Sequence, residues 1–175
     1  NNDNVNITHI KPVQSSMKRI MLKTIIFSTS LLICRSALSS EIDTILAEKE
    51  APAGVVFEIV SDEPGLLADL LPSVKTDIEK LRRHFPGIAI AIVTHGTEQF
   101  DLTSKNRSSE QQTHELVEQL VRSDDIDVHV CGTHAGWYGV MPEDFPDYVD
   151  VTAAGPAQIN DYEAMGYEVK IGRAS

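Results

Sequence analysis

Cysteine is scarce in this chain. Two of its 175 residues are cysteines, Cys34 and Cys131, and Cys34 lies in a segment that has the features of a secretory signal. If that segment is removed, Cys131 has no partner for an internal disulfide. An exported protein with one thiol uses it as a reactive group or an intermolecular link, or buries it as a small hydrophobic side chain.

Hydrophobic runs long enough to cross a membrane are also missing. The apolar run Thr24–Ile33 has about ten residues, whereas a spanning helix needs roughly 20. Basic residues precede this run and the small-residue sequence Ala37-Leu38-Ser39 follows it, so residues 17–39 are predicted to be a signal peptide cleaved near Ser39. A retained anchor is the alternative. We expect residues 1–16, which are Asn-rich, to be a disordered leader, and the mature protein to be periplasmic or secreted, with no membrane segment after cleavage.

Positive charge is sparse after residue 40. The first 40 residues carry five Lys or Arg and one Asp, a net charge of +4, so the remainder must carry −15 to give the total of −11. Such an acidic domain repels phosphate backbones, which argues against nucleic acid as a partner.

Three motifs that would indicate a common chemistry are absent. There is no Gly-x-Ser-x-Gly nucleophile elbow, no Gly-x-Gly-x-x-Gly dinucleotide fingerprint and no Gly-x₄-Gly-Lys-Ser/Thr phosphate loop. No cofactor is expected.

Short β-rich runs alternate with segments of helical periodicity. This alternation predicts a single-domain α/β three-layer sandwich over residues 40–175, with a mainly parallel five-stranded sheet and helices on both faces. Pro72 predicts that the helix around it begins or bends there, and the polar segment Phe100–Ser109 is interpreted as a loop. The predicted strands are Gly54–Val60, Ile88–Val93, Ile126–Val130, Tyr148–Thr152 and Tyr167–Ile171, and the predicted helices are Glu41–Pro52, Leu66–Leu81, Glu110–Arg122 and Gly155–Met165.

Cys131 ends the third predicted strand, and His95 follows the second. Parallel strands present their carboxyl ends at one edge of the sheet, where α/β proteins place reactive groups, so we expect these residues to be neighbours. The residues after Cys131 are small enough to start a helical turn, whose free N–H groups would favour a thiolate. His134 lies three residues further on and is close enough to assist.

Other residues near the thiol have less specific interpretations. His129 shares the face of Cys131 but is more readily explained as a packed strand residue, and His114 is given no role. Trp137 and Tyr138 either cover a small pocket or close the edge of the sheet.

Several sequence features, taken in order, resemble the DsrE/DsrF-like family of small sulfur-relay proteins. They are Val128-His129-Val130-Cys131, Tyr138-Gly139-Val140, Met141-Pro142-Glu143-Asp144, Val149-Asp150-Val151, Ala154-Gly155-Pro156-Ala157, and Gly166-Tyr167 within Tyr162–Ile171. The resemblance spans about Val55 to Ile171. It implies a five-stranded parallel α/β domain that assembles into trimers or hexamers. It also implies that Cys131 matches the cysteine that accepts sulfane sulfur as a persulfide and passes it to a partner thiol.

Three hypotheses follow. The first is an exported, homo-oligomeric sulfur carrier or sulfurtransferase in which Cys131 exchanges sulfur with a donor or acceptor protein, and His134 or His95 tunes the thiol. The second is a periplasmic module that binds a soft metal through Cys131, His134 and His95, since thiolate and imidazole suit zinc or copper. The third is a non-catalytic assembly subunit in which Cys131 is only packed.

Overall fold

The computed structural model describes residues 41–172, so the predicted leader (residues 1–16) and signal peptide (residues 17–39) lie outside the described residues. The strands are β1 (Gly54–Ile59), β2 (Ala89–Thr94), β3 (Asp127–Cys131), β4 (Asp150–Thr152) and β5 (Tyr167–Gly172). The α-helices are α1 (Glu41–Leu46), α2 (Leu66–His84), α3 (Gln111–Arg122), α4 (Gly132–Trp137) and α5 (Gly155–Ala164). Short 3₁₀ helices occupy Thr97–Leu102, Ser104–Asn106 and Pro142–Asp144.

The five strands form one parallel sheet in the order β4-β3-β2-β1-β5. The central strand β2 pairs with β1 over its whole length, from Gly54 opposite Ala89 to Ile59 opposite Thr94. On its other side it pairs with β3, from Ala91 opposite Asp127 to Thr94 opposite Val130. The parallel α/β sandwich expected from the sequence is therefore confirmed.

Alternate residues of the central strands supply two separate cores, one on each face of the sheet. On one face, Phe57 and Ile92 pack in a large cluster with apolar residues of α1, α2 and α3. On the other face, Val56 and Val93 pack against Ile159 and Tyr162 of α5. The near-continuous β-branched runs of β1 and β2 arise because both of their faces are buried.

Two local predictions need correction. Helix α2 begins at Leu66, not at Pro72, because the buried leucines that precede the proline, among them Leu67 and Leu71, hold the first turns in the hydrophobic core. Phe100–Ser109 is not an irregular loop: most of it belongs to two 3₁₀ helices, Thr97–Leu102 and Ser104–Asn106.

The five strands and the helices α3 and α5 agree with their predicted bounds to within one or two residues. Helix α1 is shorter than predicted, ending at Leu46 and not at Pro52, and α2 continues three residues past Leu81 to His84. Gly166 ends α5 with a positive φ of 87° and donates its N–H to the Glu163 carbonyl, as predicted for a glycine cap. Within residues 41–172, no helix is both long and apolar enough to span a membrane.

Candidate functional site

Cys131 lies where the sequence predicts it, at the carboxyl end of β3, and the helical turn of α4 follows directly. Its Sγ accepts the backbone N–H of His134 at 3.4 Å, so the sulfur caps the turn. It is a free cysteine, but only 4% of it is exposed. The thiol is therefore at the carboxyl edge of the sheet but shielded from solvent, as in the alternative in which a lone cysteine is buried as a small side chain.

The His134 ring ties α4 to the end of β2. Its Nδ1 lies 2.6 Å from the His95 carbonyl oxygen. A carbonyl only accepts hydrogen bonds, so Nδ1 carries the hydrogen and donates it. The ring stacks on Tyr138, with centroids 5.3 Å apart, and meets the edge of Phe100 at 5.8 Å. His134 thus holds the turn that carries the thiol.

The His95 side chain turns away from the thiol. Its Nε2 lies 2.8 Å from Glu58 Oε1 on β1, which is on the opposite side of β2 from β3 and Cys131. The ring also packs under the start of α5, where a Cβ added at Gly155 would stand 2.6 Å from the His95 Cβ. Cys131, His134 and His95 are neighbours as predicted, but the backbone of His95, not its imidazole, faces His134.

These positions bear on the metal hypothesis. Both histidines already bond protein groups through one ring nitrogen, His134 to a carbonyl and His95 to a carboxylate. Among residues 41–172, no group of three or more His, Cys, Asp or Glu side chains is placed to hold a metal ion. Cys131, His134 and His95 therefore do not form the three-ligand set that this hypothesis requires.

Sequence reasoning missed the 3₁₀ segment Thr97–Leu102, which carries three buried polar side chains. Glu98 is fully buried and accepts hydrogen bonds from the Ser61 N–H (2.8 Å), the Gly96 N–H (2.9 Å) and the Thr94 hydroxyl. Asp101 accepts the Gly65 N–H at the start of α2, and burial raises the Asp101 pKa to about 6. No periodicity marks this segment, and its position after a strand end is the only signal in the sequence.

Gln99, the third of these side chains, contacts the thiol residue directly. It is fully buried, and its Oε1 accepts the Cys131 N–H at 2.7 Å. Because that donor requires an oxygen, the orientation of the carboxamide is fixed. Its Nε2, the other terminal atom of the same planar group, is the one buried side-chain nitrogen or oxygen without a hydrogen-bond partner in the described part of the chain. A buried donor left unpaired is uncommon in folded proteins.

Two buried histidines have structural partners. His129 bonds the Tyr162 hydroxyl at 2.8 Å, in line with its interpretation as a packed strand residue, and burial lowers its pKa. His114, given no role from the sequence, bonds the Tyr148 hydroxyl through Nδ1 and the Asp101 carbonyl through Nε2. Burial lowers the His114 pKa as well.

Three large side chains next to the thiol turn are exposed, and we call them the aromatic patch: Trp137 (77% exposed), Tyr138 (62%) and Met141. The proposal that Trp137 and Tyr138 close the sheet edge by burial is wrong, since both stand mostly in solvent. Exposed aromatic residues grouped in this way are typical of surfaces that bind another molecule.

The fold and these contacts define the class: a parallel α/β protein with a shielded thiol at the carboxyl edge of its sheet. No family model and no curated protein matches the sequence. Among solved structures, the chain is similar to a protein of unknown function from Methanobacterium thermoautotrophicum, MTH1491, with a TM-score of 0.51 and 18% identity. The match covers 67% of this chain and 96% of that chain. At this identity the likeness bears on the fold alone.

Proposed function

We propose that this protein is an exported, DsrE-like sulfur carrier in which Cys131 holds sulfane sulfur as a persulfide. The observation that carries the proposal is the Cys131 Sγ, placed at the carboxyl edge of a parallel sheet with the His134 N–H directed at it from 3.4 Å. A fixed N–H donor stabilises negative charge on sulfur, and the thiolate is the nucleophilic form. The ordered sequence features shared with sulfur-relay proteins support the same assignment.

The proposed reaction is a transfer of sulfur between thiols. The Cys131 thiolate attacks the outer sulfur of a donor persulfide, R–S–SH; the donor S–S bond breaks, a new S–S bond forms, and the donor leaves as R–S⁻. The proton stays on the transferred sulfur, and no net oxidation occurs. Attack by an acceptor thiolate on the same outer sulfur then regenerates the Cys131 thiolate.

In this proposal His134 acts by position. Its backbone N–H bonds the sulfur, and its ring bonds the His95 carbonyl, so one residue fixes α4 relative to β2. His95 supports the arrangement through its backbone, with its ring held by Glu58. We assign neither imidazole a proton transfer to or from the sulfur.

Access to the buried thiol requires movement of its surroundings. Helix α4 has six residues, and Gly136 within it has no neighbour within 4 Å of a Cβ added there. A short helix with an open face is the element best suited to move aside. We therefore expect Cys131 to react more slowly in the native protein than in denaturant, but within the time of an ordinary assay.

The test is incubation of the purified full chain with polysulfide or thiosulfate, followed by mass spectrometry of the Cys131 peptide. The expected result is a gain of about 32 Da, one sulfur atom, which dithiothreitol removes. A Cys131→Ser variant, which keeps an acceptor for the His134 N–H, is the matched control and should gain nothing. Absence of an adduct with every donor, although the thiol reacts after unfolding, would refute the proposal.

A second candidate function, a non-catalytic assembly subunit, is favoured by the exposed aromatic patch. Trp137, Tyr138 and Met141 would then form a contact surface, and Cys131 would be a packing residue. The resemblance leads us to expect trimers or hexamers. Light scattering of the wild-type chain and of Trp137→Ala tests this: a loss of oligomer in the variant, together with an unreactive native thiol, would favour the assembly role.

A further inference from the structure

We propose that the side-chain amide of Gln99 is the binding group for the second sulfur on Cys131. This inference rests on the proposed function and deepens it by naming a residue that recognises the persulfide. It predicts that the Gln99 Nε2–H₂ donates a hydrogen bond to the outer sulfur, a bond that the unmodified thiol does not receive.

The first support is the geometry of the carboxamide. Gln99 Oε1 is held at 2.7 Å by the Cys131 N–H, so the whole planar group lies against the thiol residue. Its Nε2 is buried and unpartnered within the described residues, and it makes no hydrogen bond to the Cys131 Sγ. The donor therefore lies near the thiol residue but is not paired with the sulfur already there.

The second support is the length of an S–S bond. Adding one sulfur extends the Cys131 side chain by about 2 Å. When the outer S–H releases its proton, the perthiolate that results carries negative charge on the outer sulfur, and a buried anion requires donors to replace water. An amide donor that lacks a partner in the reduced protein meets that requirement without displacing an existing hydrogen bond.

The third support is the rigidity of the segment that presents Gln99. On one side of it, the Glu98 carboxylate is bonded to Ser61, Thr94 and Gly96. On the other side, Asp101 bonds the Gly65 N–H. These anchors reach the ends of β1 and β2 and the start of α2, so the amide is held in position before sulfur arrives. Preorganised donors of this kind bind charge without the cost of rearrangement.

The experiment observes the Gln99 amide directly, by ¹H–¹⁵N spectroscopy of the full chain. Its signals are assigned by their loss in Gln99→Met. Two reagents then place a second sulfur on Cys131. Polysulfide does so through the proposed activity. Methyl methanethiosulfonate adds the sulfur without requiring the proposed activity. The Cys131 thiolate attacks the S–S bond of the reagent, which breaks to give Cys131–S–S–CH₃ and methanesulfinate. The exposed amide of Gln111, bonded to Glu115, serves as the internal control.

The expected result is a downfield shift of one Gln99 Nε2 proton with either reagent, while the Gln111 signals stay in place. We also expect Gln99→Met to lose its bound sulfur to glutathione about tenfold faster than wild type, the effect of one hydrogen bond to a charged acceptor. Gln99→Glu keeps an oxygen for the Cys131 N–H but replaces the amide donor. Burial raises the pKa of a carboxyl group, so the comparison is made over an alkaline pH series; once the introduced carboxyl is ionised, this variant should lose sulfur as fast as the Met variant.

The outcomes separate this inference from the proposed function. If methyl methanethiosulfonate shifts the Gln99 signals but polysulfide leaves Cys131 unmodified, the amide site stands and sulfur uptake fails. If polysulfide adds sulfur, the Gln99 signals stay in place and Gln99→Glu retains sulfur like wild type, Gln99 is only a clamp on the Cys131 backbone and the inference is overturned. If neither reagent modifies the native thiol, both proposals are overturned.

Discussion

The Glu98 carboxylate offers the sharpest test of how the thiol site is held together. It is fully buried, and it joins the 3₁₀ segment Thr97–Leu102 to the ends of β1 and β2 through three hydrogen bonds. Glu98→Gln keeps the shape of the side chain, while Glu98→Ala removes every acceptor. The surface change Glu115→Gln is the matched control, because Glu115 is exposed and accepts one bond from Gln111.

The expected losses of stability follow from the hydrogen-bond donors that each substitution leaves without an acceptor. In Glu98→Gln, one oxygen can still serve the Thr94 hydroxyl and the Gly96 N–H, but the new NH₂ group faces the Ser61 N–H. One hydrogen bond to a charged group is lost, worth about 1.5–3 kcal/mol, and relief from burying a charge offsets part of it. We expect a net loss of about 2 kcal/mol. In Glu98→Ala all three donors lose their acceptor, and the expected loss is about 3–5 kcal/mol.

Two measurements check this prediction. Urea unfolding followed by far-UV circular dichroism gives the free energy of unfolding, and the slope with urea should stay unchanged if only the native contacts are altered. The iodoacetamide reaction of native Cys131, followed on its peptide by mass spectrometry, reports opening of the segment that covers the thiol. Cys131 should react faster in both Glu98 variants than in wild type, and faster in Glu98→Ala than in Glu98→Gln. Glu115→Gln should leave stability within about 0.5 kcal/mol and the reaction rate unchanged.

Two results would refute the reasoning. If Glu98→Gln is as stable as wild type or more stable, the unfavourable free energy of burying the charge is at least as large as the favourable free energy of its hydrogen bonds. The carboxylate is then not what fixes the segment. If both variants are destabilised but Cys131 reacts at the wild-type rate, the segment holds the fold without controlling access to the thiol.

Three further predictions concern packing, pH and the exposed surface. Gly96→Ala should strongly destabilise the protein, because the added Cβ would lie 2.2 Å from the Ser61 carbonyl oxygen. Gly136→Ala adds a Cβ with no neighbour within 4 Å and should stabilise the protein by up to about 1 kcal/mol. Thermal unfolding measures both effects. Burial lowers the His114 pKa below its usual 6.5, so the unfolded chain binds the proton more readily, and stability should fall as pH drops below 6.5. His114→Gln should reduce that fall. If urea unfolding gives the same dependence of stability on pH for the variant and for wild type, the prediction is contradicted. Trp137→Ala should leave the free energy of unfolding within about 0.5 kcal/mol while reducing self-association in sedimentation, and a large loss of stability would mean that the ring is packed.

Most of the architecture could be predicted because each pattern has a local cause. The β-branched runs of β1 and β2 mark strands with two buried faces, and the apolar spacing of α3 marks one buried stripe. Pro72 was misinterpreted because helix propensity is a local preference, and burial of the neighbouring leucines overrides it. The polar segment after β2 resembled a loop because its side chains are satisfied by distant partners that no local pattern shows.

The sequence alone determined the parallel sheet, the position of Cys131 at the end of β3 and its place beside His95 and His134. Those features depend on residue order and periodicity, which fix where each strand ends. Only the tertiary structure decided that the thiol is buried, that the His95 ring turns to Glu58, and that Gln99 lies against Cys131 with a free donor. The last two depend on hydrogen bonds between segments that are more than 30 residues apart, and their partners become neighbours only when the sheet forms.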